Sequence, residues 1–199
     1  MGERTDGHEA PRTTGASRHA AAGAGQLGGR VPRPAMAAVA EHVALELTPI
    51  LARYGMHAAL GLLNARTRYR FTGLYRVEPP LLRNLHLYDR ENPALDVCGD
   101  IALLEDTYCV IPAVLALPFA TPDAQADARL ATHTKRGTVL SYLGVPIRGI
   151  DGRVRGTLCH FDCRPRLLPD GEAELLARVA PLLAGDWLEE RPRDTVPPA

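Results

Sequence analysis

The sequence predicts an α+β domain, a central antiparallel sheet with the N- and C-terminal helices on one face. Three observations predict it. Helical periodicity is confined to the two ends of the foldable chain, a strand pair follows the first helix, and a hairpin precedes the last. The 199 residues, 46% hydrophobic and 23% charged, suffice for one domain of about 150 residues and some further chain.

The first block, residues 1–34, holds seven glycines, three prolines, no aromatic residue and only Met1, Leu27 and Val31 as large apolar residues. It cannot bury enough surface to offset its ordering entropy and is expected to be a disordered arm. Gly23, Gly25 and Gly28 match the spacing of a dinucleotide-binding loop, but no strand or helix pattern flanks them, so no nucleotide site is expected there. The tail 191–199, with three prolines, is expected to be disordered as well, which leaves 35–190 as the domain.

That domain opens with Met36, Val39, Ala40, Val43 and Leu47 at helical spacing. Thr48-Pro49 reads as an N-cap followed by proline at the first helical position, so a second helix, or a kinked continuation, is expected to about Asn64. The period then changes to two. Tyr69, Phe71, Tyr75 and Val77 share one face of a strand, and Arg68, Arg70, Thr72 and Arg76 the other, with the aromatic face turned to the core. Pro79-Pro80 closes it, 81–88 makes a second strand, and 89–93 is a turn cluster.

In the middle of the chain Asp106 is expected to cap a short helix limited by Pro112, residues 119–121 to form a short strand, and 127–132 a helical turn. Residues 140–148 and 154–161 read as strands joined at Asp151-Gly152, a strong hairpin turn signal. Asp170 is expected to cap a last helix, with Glu172 and Glu174 where the helix dipole favours acids. Leu175, Leu176, Val179, Leu182, Leu183 and Trp187 form its apolar stripe.

Several function classes are disfavoured. With 23 basic and 23 acidic residues there is no global field to recruit nucleic acid or an anionic membrane. The longest nearly unbroken apolar run, 109–120, is twelve residues long and holds Pro112 and Pro118, too short to span a bilayer. No leader pattern opens the chain, so a cytoplasmic location with reduced thiols is expected for its four cysteines. Lys135 is the one lysine against 22 arginines, a bias that suggests a GC-rich bacterial genome.

One set of motifs resembles a known family. Ser141-Tyr-Leu-Gly-Val-Pro-Ile147, then Asp151-Gly152, then Gly156-Thr-Leu-Cys159 and Asp162 strongly resemble a GAF domain. Asp106-Thr-Tyr-Cys109 and Pro122-Asp-Ala-Gln-Ala-Asp127-Ala-Arg129 resemble that family's upstream landmarks, in the right order. The resemblance spans roughly 48–188. It implies a ligand pocket on the sheet face opposite the terminal helices, and pairing of two copies through those helices. The ligands of the family include cyclic nucleotides, haem, bilins and small anions. Such domains usually accompany an effector, for which this chain has no room, so the expected role is a non-catalytic sensory module acting in trans on a kinase or regulator in bacterial signalling. The ligand is unidentified and no cofactor is named.

The candidate ligand-binding residues are Tyr108, Cys109, Phe119, Asp123, Asp127, Arg129, His133, Ser141, Tyr142 and Gly144. Gly144 inside a strand suggests close approach of a ligand or another backbone. Asp123, Asp127 and Arg129 are polar pocket candidates whose plainer reading is an Asx-turn and a helix cap. His133 lies in the loop that would cover a ligand and could ligate haem or pair an anion. Arg68, Arg70 and Arg76 could bind a phosphate or form a solvated face.

The alternative is a thiol-dependent enzyme resembling free methionine-R-sulfoxide reductase. Cys98 and Cys109 have nearly the spacing of that family's first two cysteines, but the third, its essential nucleophile, should lie near Arg136, and no cysteine occurs between 110 and 158. Cys98 and Cys109 are therefore expected to be small packing residues. Cys159 and Cys163 flank His160, but alternation sends the cysteines to one face and the histidine to the other, so no metal site and no catalytic residue are expected.

Overall fold

The computed structural model describes residues 33–185, with side chains from residue 37 onward. Apart from Arg33 and Pro34, the expected disordered arm lies outside the described residues, as do Trp187 and the tail 191–199.

Helix α1 (Arg33–Ala65) leads into strands β1 (Phe71–Glu78), β2 (Leu81–Asp89) and the short β3 (Ile101–Leu103). Helix α2 (Val110–Leu115), β4 (Phe119–Thr121), the hairpin of β5 (Ser141–Arg148) and β6 (Val154–Asp162), and α3 (Glu172–Val179) follow. The six strands form one sheet in the order β3-β2-β1-β6-β5-β4, every neighbour antiparallel. The α+β class and the antiparallel sheet stand as expected.

The first helix is the kinked continuation of the two readings, with its kink away from Thr48-Pro49. Thr48 does not cap a new helix; its hydroxyl donates back to Ala44 O at 2.9 Å, and Pro49 sits inside α1. The break comes instead at Gly55, at φ 81 and ψ −176, a conformation that side chains with a Cβ rarely adopt. Proline removes one backbone bond from the helix. The buried stripe of Val43 and Leu47 before it, and Leu60 and Leu63 beyond, holds both halves against the sheet.

The sheet carries a core on each face. Toward the helices, Val43, Leu47, Leu60, Leu63 and Tyr69 pack with Leu74, Leu143, Val145, Ile147 and Leu158 of the sheet and with Leu175, Leu176, Val179 and Leu183. On the other face the loop and helix between β3 and β5 cover Leu82, Tyr142 and Cys159 with Leu104, Tyr108, Cys109, Phe119, Ala124 and Leu130. This division corrects the strand expected at 69–77. Tyr69 belongs to the helix-side core, whereas Tyr75 and Val77 pack on the other side. Phe71 is half-buried, stacked on Phe161 with ring centroids 4.8 Å apart. The face that reads as polar is not solvated either, because Thr72 and Leu74 are fully buried under the helices.

The arginines of that face hold acids. Arg70 makes a bidentate pair with Asp89 at 2.8 and 2.7 Å, and Arg76 meets Glu78 at 3.1 Å. The Arg70 guanidinium holds the Asp89 carboxyl down to about 2. Asp106 ends a 3-10 turn (Leu104–Asp106) and does not open a helix; α2 starts after Cys109 and takes Pro112 into its first turns, where a missing N–H costs least. Gly171, in the left-handed conformation at φ 75, occupies the N-cap of α3 in place of Asp170. The apolar stripe of α3 holds through Leu183, but Leu182 is exposed.

Candidate functional site

The hairpin turn determines what meets on the sheet face away from the helices. Counting outward from Asp151-Gly152, the β5–β6 register pairs Gly144 with Cys159. On the other side of β6, Gly73 of β1 also pairs with Cys159. Cys159 therefore has a glycine beside it on each neighbouring strand. A tyrosine two residues along lies over each glycine: a Cβ on Gly73 would stand 2.4 Å from the Tyr75 ring, and one on Gly144 would stand 2.1 Å from the Tyr142 hydroxyl oxygen. Without side chains at 73 and 144, both rings lie along the sheet and leave a depression centred on Cys159.

Cys109, at the N-cap of α2, lowers its thiol into this depression. The Tyr142 hydroxyl donates to Cys109 Sγ at 3.4 Å. Tyr75, Leu82, Thr107, Tyr108, Cys109, Lys135, Val139, Tyr142, Cys159 and Phe161 enclose a cavity of about 120 Å³. Its walls are aromatic and sulfur-bearing. Burial pushes the Tyr75 and Tyr142 hydroxyls well above their ordinary range, so both stay protonated hydrogen-bond donors.

The two thiols diverge. The Cys109 thiol is drawn down to about 7, first by the neighbouring Cys159 thiol, against the opposing effect of burial, and then by the Thr157 and Tyr142 hydroxyls. Thr157 Oγ1 has no other partner among the described residues, which leaves it free to turn toward the sulfur. Burial and the adjacent Cys109 push Cys159 far up. The pair releases one proton easily and the second only with difficulty.

A family model for the GAF domain matches residues 57–185. The chain belongs to the GAF family. No curated protein matches it. Among solved structures it is similar to the GAF domain of an Acinetobacter phosphoenolpyruvate-protein phosphotransferase, at 12% identity over 76% of this chain and 93% of that one, with a TM-score of 0.59. It is also similar to the free methionine-R-sulfoxide reductase of Neisseria meningitidis in complex with its substrate, at 19% identity over 77% and 90% of the two chains and a TM-score of 0.57. The type II free methionine-R-sulfoxide reductase of Thermoplasma acidophilum matches at 18% identity over 72% and 95%, with a TM-score of 0.51. At these identities the likeness shows the fold alone.

Within this GAF domain the candidate residues separate into groups. Tyr108, Cys109 and Tyr142 line the cavity, and Gly144 lies beneath the Tyr142 ring. Phe119 supports Tyr142 from behind, ring centroids 6.3 Å apart. His133 packs against Tyr108 at 4.5 Å, and its Nδ1 accepts from Lys135 N, so it caps the 3-10 turn Thr134–Gly137. Asp127 caps the next turn upstream, accepts from Arg129 N at 3.0 Å and binds the Arg129 side chain, whose guanidinium lies over Phe119. Asp123 forms an Asx-turn with Gln125 N. These three polar residues brace the cavity's cover and do not line the cavity itself. Ser141 points to the helix face and donates to Arg164 O at 2.8 Å.

Cys98 is exposed, not a packing residue, while Cys109 is buried. Cys163 lies beyond the end of β6 and is exposed, so it does not share the buried setting of Cys159. His160 is on the helix face of β6, opposite Cys159, as alternation requires. The lining residues that sequence reasoning missed are Tyr75, Leu82, Thr107, Lys135, Val139, Cys159 and Phe161. The Asp151-Gly152 turn signal was usable for Cys159 and Phe161: the turn spans residues 150–152 with a bulge at Ile147/Arg148, and beyond it the register brings them beside Gly144 and Tyr142.

Proposed function

We propose that this GAF domain is a non-catalytic regulatory module that binds a small molecule between its sheet and the covering segment 104–139, and acts in trans on a separate kinase or regulator in a bacterial cytoplasm. The observation that supports it is the cavity itself: formed, aromatic-walled, and supplied with a hydroxyl donor from Tyr75. A volume of about 120 Å³ suits a ligand, or part of one, of a few heavy atoms with one or two acceptors, well short of a haem or a nucleotide. Among the described residues no helix is long and apolar enough to cross a membrane.

Native mass spectrometry of protein purified without refolding tests this reading. The expected result is a retained small molecule, lost from Val139→Trp, which closes the mouth at a half-buried position. Wild-type protein free of any bound species, with no thermal shift on adding small carbonyl or carboxylate compounds, would remove the reading.

A second reading, a thiol-dependent reductase, is favoured by the Cys109 sulfur facing the cavity. Against it stand the missing cysteine near Arg136 and the separation of exposed Cys98 from buried Cys109. Thioredoxin-coupled turnover of free methionine sulfoxide would establish it in place of the first.

A further inference from the structure

The cavity contains two thiols that the proposed regulatory role does not use. Cys109 comes from the start of α2 and Cys159 from the middle of β6, 50 positions apart in sequence, and both open on the same enclosed space. Both are nearly fully buried, at 4% and 1% exposure, so bulky reagents and other proteins are kept away. Three features make the pair a built site. The flanking glycines 73 and 144 clear the sheet around Cys159. The Tyr142 hydroxyl donates to Cys109 Sγ, the hydrogen bond a thiolate accepts. The Thr157 hydroxyl, buried and otherwise unpartnered among the described residues, stands on the same face of β6 as Cys159.

We propose that Cys109 and Cys159 form a peroxide-reactive dithiol, with Cys109 as the attacking thiolate, Cys159 as the resolving thiol, and a small hydroperoxide as the substrate class. Cys109 Sγ forms a bond to the near oxygen of the hydroperoxide as the O–O bond breaks. The departing oxyanion takes up one proton and leaves as water or alcohol, and Cys109 becomes a sulfenic acid. Cys159 Sγ then attacks Cys109 Sγ. The S–O bond breaks, the S–S bond forms, and the released hydroxide leaves as water with the Cys159 proton. Two thiols are oxidised to one disulfide, and one hydroperoxide is reduced. An external dithiol returns the pair to its starting state.

The surroundings match these steps. The lowered Cys109 thiol supplies thiolate near neutral pH, and the raised Cys159 stays a thiol until the first step is complete. Tyr142 remains protonated throughout and holds the Cys109 charge in place. A cavity of about 120 Å³ has room for hydrogen peroxide or a short alkyl hydroperoxide beside the two sulfurs. Peroxide reactivity of the pair does not require that any regulatory ligand bind.

The experiment uses the full chain carrying Cys98→Ser and Cys163→Ser, which removes the two exposed thiols. On adding a few equivalents of hydrogen peroxide, the expected product is a loss of two hydrogens in intact mass, with a peptide map joining Cys109 to Cys159, reversed by dithiothreitol. Adding Cys159→Ser to that background should stop the reaction at a sulfenic acid on Cys109, read as a gain of one oxygen in intact mass, and Cys109→Ser should leave Cys159 reduced. The rate should fall at least about tenfold from pH 8 to pH 5.5, following the thiolate. Tyr142→Phe should raise the pH midpoint without abolishing the disulfide. If both thiols stay free under peroxide while circular dichroism shows the protein folded, or if Cys159 is modified in the absence of Cys109, the proposal is overturned.

Discussion

Phe71 and Leu74 show how far burial depends on the face a residue occupies. Both stand in β1, three positions apart, and by hydrophobicity alone the phenylalanine should matter more. The structure reverses the order. Leu74 is fully enclosed between the sheet and the helices, whereas Phe71 is half-buried and leans on Phe161. Leu74→Ala should cost about 2–5 kcal/mol, and Phe71→Ala about half of the ~3–5 kcal/mol of an enclosed ring. Urea unfolding of the two variants checks the order; a larger loss at Phe71 would mean the face assignment is wrong. The sequence pattern placed residues 71–77 on alternating sides correctly but put Tyr69, which lies ahead of β1, on the wrong one, and alternation cannot say that both sides are covered. Thr72 is the residue that misleads, because a threonine in a row of arginines reads as solvated.

Among elements, β6 and α3 are joined by more than apolar contact. Asn64 Nδ2 donates to Thr72 Oγ1 at 2.9 Å, and Thr72 Oγ1 shares a hydrogen bond of 2.7 Å with His160 Nδ1. The other ring nitrogen, Nε2, lies 3.6 Å from Glu172 Oε1 at the start of α3. All four side chains are buried. A polar line thus runs from α1 through two strands to α3, with Tyr69 stacked on the histidine at 5.8 Å. Thr72→Val, of the same shape, should cost about 1–3 kcal/mol by leaving buried His160 Nδ1 without its partner, while Asn64 Nδ2 keeps Tyr69 O at 3.1 Å. Thermal unfolding measures it, and a neutral result would show that the line is not closed by Thr72. None of this line was legible in the sequence. Strands β1, β2, β5 and β6, their hairpin and the short β4 were, because period and turn chemistry are local; β3 (Ile101–Leu103) carries too few residues to show a period and was not. Pairing across 88 positions, as between Thr72 and His160, follows only from the strand order.

At the scale of the whole molecule the terminal helices raise the question of association. Leu45 and Leu182 remain exposed, at 71% and 42%, although Leu51 packs on the core of its own chain. Val39 and Tyr54 add exposed apolar surface on α1. Covering a few such side chains at about 1.5–3 kcal/mol each can outweigh association costs. A homodimer is expected by sedimentation at ~10–50 μM, with Leu45→Glu and Leu182→Glu together shifting it to monomer. A wild-type protein sedimenting only at monomer mass would remove both the dimer and any signal passed through this helix pair. Of the candidate site, the motifs pointed to Tyr108, Cys109 and Tyr142, which line the cavity. They also pointed to Asp127 and Arg129, which are needed to shape its cover. A polar pair in a loop looks the same in sequence whether it caps a turn or meets a ligand.

The helix-side core is built from the two ends of the domain, residues 40–63 and 175–183, with the whole sheet between them in sequence. A nascent chain leaving the ribosome therefore carries Leu47, Leu60 and Leu63 without their final cover until the last helix emerges. At ordinary elongation speeds that interval is on the order of ten seconds. During translation these leucines present a stripe of the kind chaperones hold, and a truncated transcript ending before α3 would release a chain with that stripe still bare.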